Sequence, residues 1–298
     1  MSGRPEVAAP AADAAAPGAS WTYLDYARRG KTQWWRYPCA VAAGLAIALA
    51  IGVATIFAFN VLHLLPADIA GELTRPTHPL IFFFAAGLNF AVLLAGLLAG
   101  IALIHKKTLA DLMGRWSWPV FAAGVGVWLA VLAVSTAIDL AVAPAGFRFS
   151  PTSATALLAI CAGLALPIQT FAEEVVFRGY LTQGLLLATR RPALAAALAG
   201  LMFGALHIPN GIPQAVGATA FGVATSLIAI RLGGIAFTFG LHLINNLFSA
   251  VVVVSSGDVF AGAPGLVTQN TPRLTWWDIA VEMLALTLVV WLVVRRAR

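Results

Sequence analysis

Glu173, Glu174 and Arg178 stand inside an otherwise apolar run from about Thr155 to Thr189. A charge at bilayer depth costs roughly 2.5–3.5 kcal/mol on insertion scales, so ionisable groups there point to function before packing. Glu174 and Arg178 are four residues apart, hence on one helix face and able to pair. Glu173 is turned about 100° away and is left without that partner. Two further polar groups occur in later apolar runs, Phe203-Gly204-Ala205-Leu206-His207 and His242-Leu243-Ile244-Asn245-Asn246. His242 and Asn246 share a helix face, whereas Asn245 points about 100° away and is the weaker candidate. Taken singly, His207 reads first as a hydrogen-bonded packing residue, His242 with Asn246 equally as interhelical bonding or as function, and the charged trio as function ahead of a structural ion-pair network.

Together these side chains suit a particular chemistry. A carboxylate and an imidazole can hold a water and take its proton. A second imidazole and an amide can donate to the oxyanion of a tetrahedral intermediate. That set would hydrolyse a peptide bond without a covalent nucleophile. No GxSxG stands near the clusters, and Cys39 and Cys161 lie elsewhere, read as reduced packing residues. HExxH is absent. Two histidines and a glutamate can also bind a divalent metal such as zinc, with Glu173, His207 and His242 as ligands. The residue types leave the metal-free and metal-dependent readings both open.

The elements that must carry these groups are membrane helices. Of the 298 residues, 60% are hydrophobic and 10% charged, where a soluble domain carries about 25% charged residues. The fold class expected is an all-α polytopic membrane protein, a bundle of about eight transmembrane helices. Apolar runs cover residues 39–64, 79–104, 118–142, 154–172 continuing to 189, 192–209, 214–230, 234–254 and 276–294. Residues 1–37 read as a disordered tail followed by an interfacial aromatic and basic segment, and 38–298 as the transmembrane domain, with the motifs in 155–252.

With the N-terminus inside, the outer loops hold only Arg75, Arg148 and Arg273 of the 18 lysines and arginines. The bias places both termini in the cytoplasm of a multi-pass protein, in the cell membrane. Basic residues at the ends of apolar runs are not a nucleic-acid signal, so the expected partners are the lipid bilayer and a peptide or lipidated-protein substrate.

Arg190-Arg191-Pro192 reads as a turn between two antiparallel helices. Glu173 lies 17 residues before it and His207 16 after, which puts them at similar height. Gly200, Gly204 and Ala205 allow close backbone approach there. The 155–189 run is about 52 Å long as a continuous helix, against a hydrocarbon core of about 30 Å. It must kink at Pro167 and project, or lie along the interface. The polar cavity is expected in the cytoplasmic half. His63, His78 and His105 read as interfacial, Asp139, Asp258 and Asp278 as solvated, and Glu282 as reaching the interface or pairing with another helix.

Glu173-Glu174-xxx-Arg178, Phe203-xxx-His207 and His242-xxx-Asn246 on successive helices resemble the CPBP family. Its members include the Ras-converting type of CAAX prenyl endopeptidase and bacterial proteins linked to bacteriocin processing and immunity. The resemblance covers roughly residues 155–252 and implies an eight-helix intramembrane endopeptidase whose cavity opens toward the cytoplasm. It makes Glu173 the base that activates water, with His207 helping to hold it. His242 and Asn246 stabilise the oxyanion, and Glu174 and Arg178 orient the site. It also carries the alternative of a non-proteolytic immunity or interaction protein. An ion-coupled transporter is the remaining reading, and the lack of an internal repeat weighs against it.

Overall fold

The computed structural model describes residues 22–64, 79–257, 259–270 and 275–296. The expected disordered tail, His78, Asp258, Arg75 and Arg273 lie outside the described residues.

Every apolar run read from the sequence is helical. The elements are α1 (Tyr23–Arg28), α2 (Arg36–Val61), α3 (Pro79–His105), α4 (Leu109–Met113) and α5 (Trp118–Val142). They continue as α6 (Ser153–Thr189), α7 (Pro192–Ala205), α8 (Ile212–Leu232), α9 (Ala236–Val252) and α10 (Thr275–Arg296). Six of these are long and apolar enough to cross a membrane, and α7 and α9 are shorter apolar helices. The all-α polytopic architecture is what the composition requires.

Local chemistry sets the helix ends. Thr22 with Asp25, and Thr108 with Asp111, form reciprocal capping boxes at α1 and α4. Proline occupies the first turn of α5, α7 and α8, where its missing N–H would be unpaired anyway. α8 stops at Gly233, whose φ of 77° suits a left-handed cap.

Within lipid there is no hydrophobic drive between helices, so close packing of small residues joins them. α2 packs on α3, α3 on α6, α5 on α9, and α8 on both α7 and α10. The α7–α8 contact sets the height of His207. A side chain at Gly200 would stand 2.6 Å from the Val223 backbone nitrogen, and one at Gly204 would run into the Thr219 hydroxyl. Gly204→Val is therefore expected to lower stability by about 1–3 kcal/mol through overpacking. Thermal melting in detergent measures this, and a change within error would show that the α7–α8 approach is not close.

The long α6 resolves its excess length without leaving the protein. It is continuous over 37 residues, with a π-helical stretch at Glu174–Thr182 in which Thr182 donates to the Phe177 carbonyl five residues back. The second half of α6 is buried by other parts of the chain. It is enclosed by a collar made of residues 22–37 and 106–113. Tyr23 donates its hydroxyl to the Arg178 carbonyl. Gln183 donates to the Asp111 carbonyl at 2.8 Å. His105, expected at the interface, is instead fully buried, with Nδ1 2.6 Å from the Lys31 carbonyl and Nε2 2.9 Å from the Tyr180 hydroxyl. Leu112, fully buried against this helix, contributes about 1.5–3 kcal/mol.

Lys107 locks the collar by donating to the Ala27 carbonyl at 2.7 Å and to Gln183 Oε1 at 3.4 Å. Burial pushes its ammonium down to about 8 from the ordinary 10.5, with Asp111 pulling it part of the way back. The folded state thus holds this proton less tightly than the unfolded chain does. Stability withheld below pH 8 is regained as pH climbs through 8 toward 10.5. Melting temperature is expected to rise over that window, and the rise to shrink in Lys107→Met. An identical pH profile in that variant would remove Lys107 from the account.

At the opposite end of the bundle lies a small sheet with no counterpart in the sequence reading. β1 (Phe147–Phe149) pairs antiparallel with β3 (Val267–Gln269), and β2 (Val253–Ser255) pairs parallel with β3. Phe147 faces Gln269 in register, and Val253 faces Val267.

Candidate active site

The π-helical stretch of α6 begins at the carboxylate pair. π-bulges concentrate at functional sites because the wider turn re-aims side chains. Here Glu174 Oε1 stands 3.1 Å from Arg178 Nη1, both side chains fully buried. The expected ion pair is therefore present. Arg178 also donates from Nε and Nη2 to Thr225 Oγ1, at 2.9 and 2.6 Å, and its guanidinium lies 4.4 Å above the Phe203 ring centroid. Thr225 in turn donates to the Phe221 carbonyl. The ion pair with Glu174, the two bonds to Thr225 and the stacking on Phe203 fix this arginine.

α9 brings His242 to the same carboxylates. Its Nδ1 is 2.9 Å from Glu174 Oε1 and its Nε2 is 3.5 Å from Glu173 Oε2. A carboxylate only accepts, so Nδ1 carries a proton toward Glu174. The two glutamates, the arginine and the imidazole then sum to zero charge when one further proton is shared between Glu173 and His242 Nε2. Glu173 retains 14% side-chain exposure, whereas Glu174 has none. Its Oε1 accepts from Gln169 Nε2 at 3.3 Å.

His207 follows the last turn of α7. Its Nδ1 donates to the Phe203 carbonyl at 2.8 Å, since a carbonyl can only accept. In the neutral ring this leaves the lone pair on Nε2. Phe203 packs edge-on against Phe177, 4.9 Å between centroids. Glu173 and His207 each lie four residues from that contact, toward the same end, so the hairpin spacing puts them at matching height. No direct contact between their side chains is present among the described residues, and the imidazole that reaches Glu173 is that of His242.

Asn246 donates to Thr170 Oγ1 at 3.3 Å. Asn245, the weaker candidate by helical phase, accepts from Trp128 Nε1 at 2.9 Å and donates to Asn246 Oδ1 at 3.4 Å. It holds the Asn246 amide in place, a role its sequence position does not announce. Among the described residues no group of three His, Cys, Asp or Glu side chains could hold a metal ion. The Glu173, His207 and His242 ligand set does not fit a bound metal here, and no step below passes through one.

His207, His242, Asn245 and Asn246 line a cavity of about 380 Å³ whose apolar walls include Trp128, Phe203 and Phe221. That size lies within the range of ligand pockets, about 300–1,000 Å³. Glu173 joins this wall through His242. His242 is six residues from the start of α9 at Ala236, and Glu173 is 20 residues from the start of α6 at Ser153. The carboxylates thus sit in the half of the bundle nearer the collar. The cavity runs the other way, to exposed Asn210 and Gly257 beside β2. An opening toward the cytoplasm, which the resemblance implies, does not agree with a mouth at this end if both termini are cytoplasmic.

Three acidic residues also line the cavity near its mouth. Asp139, expected to be solvated, is only 7% exposed and hydrogen-bonds Asp278 and Gln269. Glu282 approaches Gly217 of α8. Helical phase alone gave no signal for these contacts, because each joins elements far apart in the chain.

The profile of the type II CAAX prenyl endopeptidase Rce1-like family matches residues 152–248, an interval that holds all seven motif residues. At family level the match supports a CAAX-type intramembrane protease. The uncharacterized protein YyaK of Bacillus subtilis (strain 168) is 22% identical over 278 residues, covering 88% of this chain and 93% of its own. No solved structure matches the chain.

Proposed function

We propose that the chain is a membrane-embedded endopeptidase that hydrolyses peptide bonds of membrane-associated or lipid-modified substrates, CAAX-type prenylated tails among them. The observation that carries this reading is His242 held between two carboxylates on the wall of a cavity. When the shared proton sits on His242 Nε2, Glu173 is a free carboxylate able to take a proton from water. The water oxygen attacks the peptide carbonyl carbon. His242 N–H and the Asn246 amide donate to the oxygen that becomes the oxyanion. The C–N bond then breaks and the proton on Glu173 passes to the leaving amine. His207 Nε2 offers a second acceptor on the cavity side to orient the water. Glu174 holds the His242 ring and Arg178 neutralises Glu174, so neither needs to touch substrate. We place both termini in the cytoplasm on the lysine and arginine bias.

The test uses the full chain in proteoliposomes with a prenylated CAAX peptide and the same peptide without its lipid, products being read by mass spectrometry. Cleavage of either peptide is expected, with His207→Ala and Glu173→Ala each inactive. Full activity in both variants would overturn the assignment.

A further inference from the structure

The wide turn that carries Glu174 and Arg178 is gripped by the collar. The Thr22–Asp25 capping box starts α1 one residue before Tyr23 and so fixes where that side chain points. Tyr23 is 1% exposed, and its hydroxyl donates to the carbonyl of Arg178, 155 residues away in the chain. In a π-helix the backbone bonds span five residues rather than four. A carbonyl has two lone pairs, and at this turn side-chain hydroxyls occupy one on each of two neighbours, Thr182 on Phe177 and Tyr23 on Arg178. Thr182 belongs to the turn itself, whereas Tyr23 arrives from outside. The positions that follow also meet the collar. A side chain at Gly179 would stand 2.9 Å from the Leu112 carbonyl oxygen, and the Tyr180 hydroxyl bonds His105. Gln183 bonds the Tyr23 hydroxyl as well as the Asp111 carbonyl.

We infer that Tyr23 is a positioning residue for the candidate site. Its hydroxyl holds the π-helical turn in the wide form that aims Glu173 and Glu174 at His242. Arg178 is the link, because its side chain is committed to Glu174 and Thr225 while its backbone carbonyl is committed to Tyr23. Without the hydroxyl the turn can relax toward α-helical spacing, and a slip of one residue turns a side chain by about 100°. That slip would part Glu174 from Arg178 or carry it away from His242 Nδ1. Tyr23 does not line the cavity that holds His242, so it acts through the carboxylates and not on a substrate. The segment before the first long span thereby supports the site. Its effect on rate rests on the endopeptidase reading, and its effect on His242 does not.

The test compares Tyr23→Phe with Tyr37→Phe in the full chain. Phenylalanine keeps the ring that fills the buried space. Tyr37 belongs to the same collar, and its buried hydroxyl has no partner among the described residues, so its loss is the control. Proton NMR of protein carrying isotope-labelled histidine reads the Nδ1 proton that His242 donates to Glu174, assigned by its loss in His242→Gln. The signal is expected to shift or vanish in Tyr23→Phe and to stay in Tyr37→Phe. It is expected to return with para-aminophenylalanine at position 23, whose amine still donates. With a prenylated CAAX peptide as probe, kcat of Tyr23→Phe is expected to fall by roughly 10–100-fold at unchanged KM, the scale that a small misplacement of reacting groups brings. An unchanged His242 signal in Tyr23→Phe would overturn the inference, and so would a shifted signal at the parent's rate. An equal change in Tyr37→Phe, or no return with the amine, would also overturn it and reduce Tyr23 to collar packing. Should Tyr23→Phe not accumulate in membranes, para-fluorophenylalanine at position 23 fills the space of the hydroxyl without donating and is read by the same outcomes. The His242 signal does not depend on hydrolysis. A parent chain that cuts nothing therefore sinks the endopeptidase reading and leaves the signal to decide this one.

Discussion

Glu173→Gln is expected to lower peptide hydrolysis by roughly 10²–10⁴-fold, the usual contribution of a positioned general base. The folded protein is expected to survive this change. Glutamine has nearly the same shape, and Glu173 makes only a long hydrogen bond to Gln169 and a 3.5 Å approach to His242. Its partial exposure leaves the new amide access to water. Activity lost at unchanged melting temperature and unchanged membrane insertion is the signature sought. A parallel fall in stability would instead make Glu173 part of the scaffold.

Arg178→Leu is expected to behave in the opposite way, lowering stability by about 3–5 kcal/mol because it leaves a buried carboxylate without its cation. The change also removes two bonds to Thr225 and the stacking on Phe203. Yield from membranes and the melting temperature in detergent both report it. The double variant Glu174→Leu with Arg178→Leu should recover part of the loss, since replacing a buried ion pair by apolar side chains is often neutral. It should not recover activity, because His242 Nδ1 then has no acceptor. A single Arg178→Leu variant as stable as the parent would show that Glu174 is not held as a buried anion.

The contrast between these neighbours was partly legible in the sequence. Charges in an apolar run are conspicuous, and the four-residue spacing of Glu174 and Arg178 is enough to pair them. The eight helical runs were readable for the same reason, since hydropathy over some 20 residues is a strong signal. Three features were not. The residues of the π-helical stretch from Val175 to Thr182, mostly β-branched and aromatic with Gly179 among them, carry no pattern that separates a π-turn from an α-turn. The strands are three residues long, and Phe147 meets Gln269 across most of the motif-bearing core. Asn245 finds Trp128, 117 residues away, on a helix that carries no motif.

The choice of imidazole turned on geometry of the same kind. Counting residues along the α6–α7 hairpin sets Glu173 and His207 at one height, and the Phe177–Phe203 contact agrees. Height alone does not decide which ring reaches the carboxylate. α9 brings His242 between the two glutamates, leaving His207 on the cavity wall with Nδ1 committed to the Phe203 carbonyl. The collar is the other lesson. The aromatic and basic residues between Thr22 and Tyr37 suit a headgroup layer by composition, yet Tyr23 and Ala27 are buried against the second half of α6. A segment that looks like a membrane anchor thereby closes one end of the bundle.

The central claim is that Glu173 serves hydrolysis of a peptide bond. The most direct measurement is a mass-spectrometric comparison of protein C-termini in membranes from cells carrying the parent chain and cells carrying Glu173→Gln at equal abundance. The account predicts new C-termini, from membrane-associated proteins, that appear with the parent chain and vanish with the variant. Identical sets of C-termini, with the biological effect of the parent retained in the variant, would contradict it and leave a binding or immunity protein in its place.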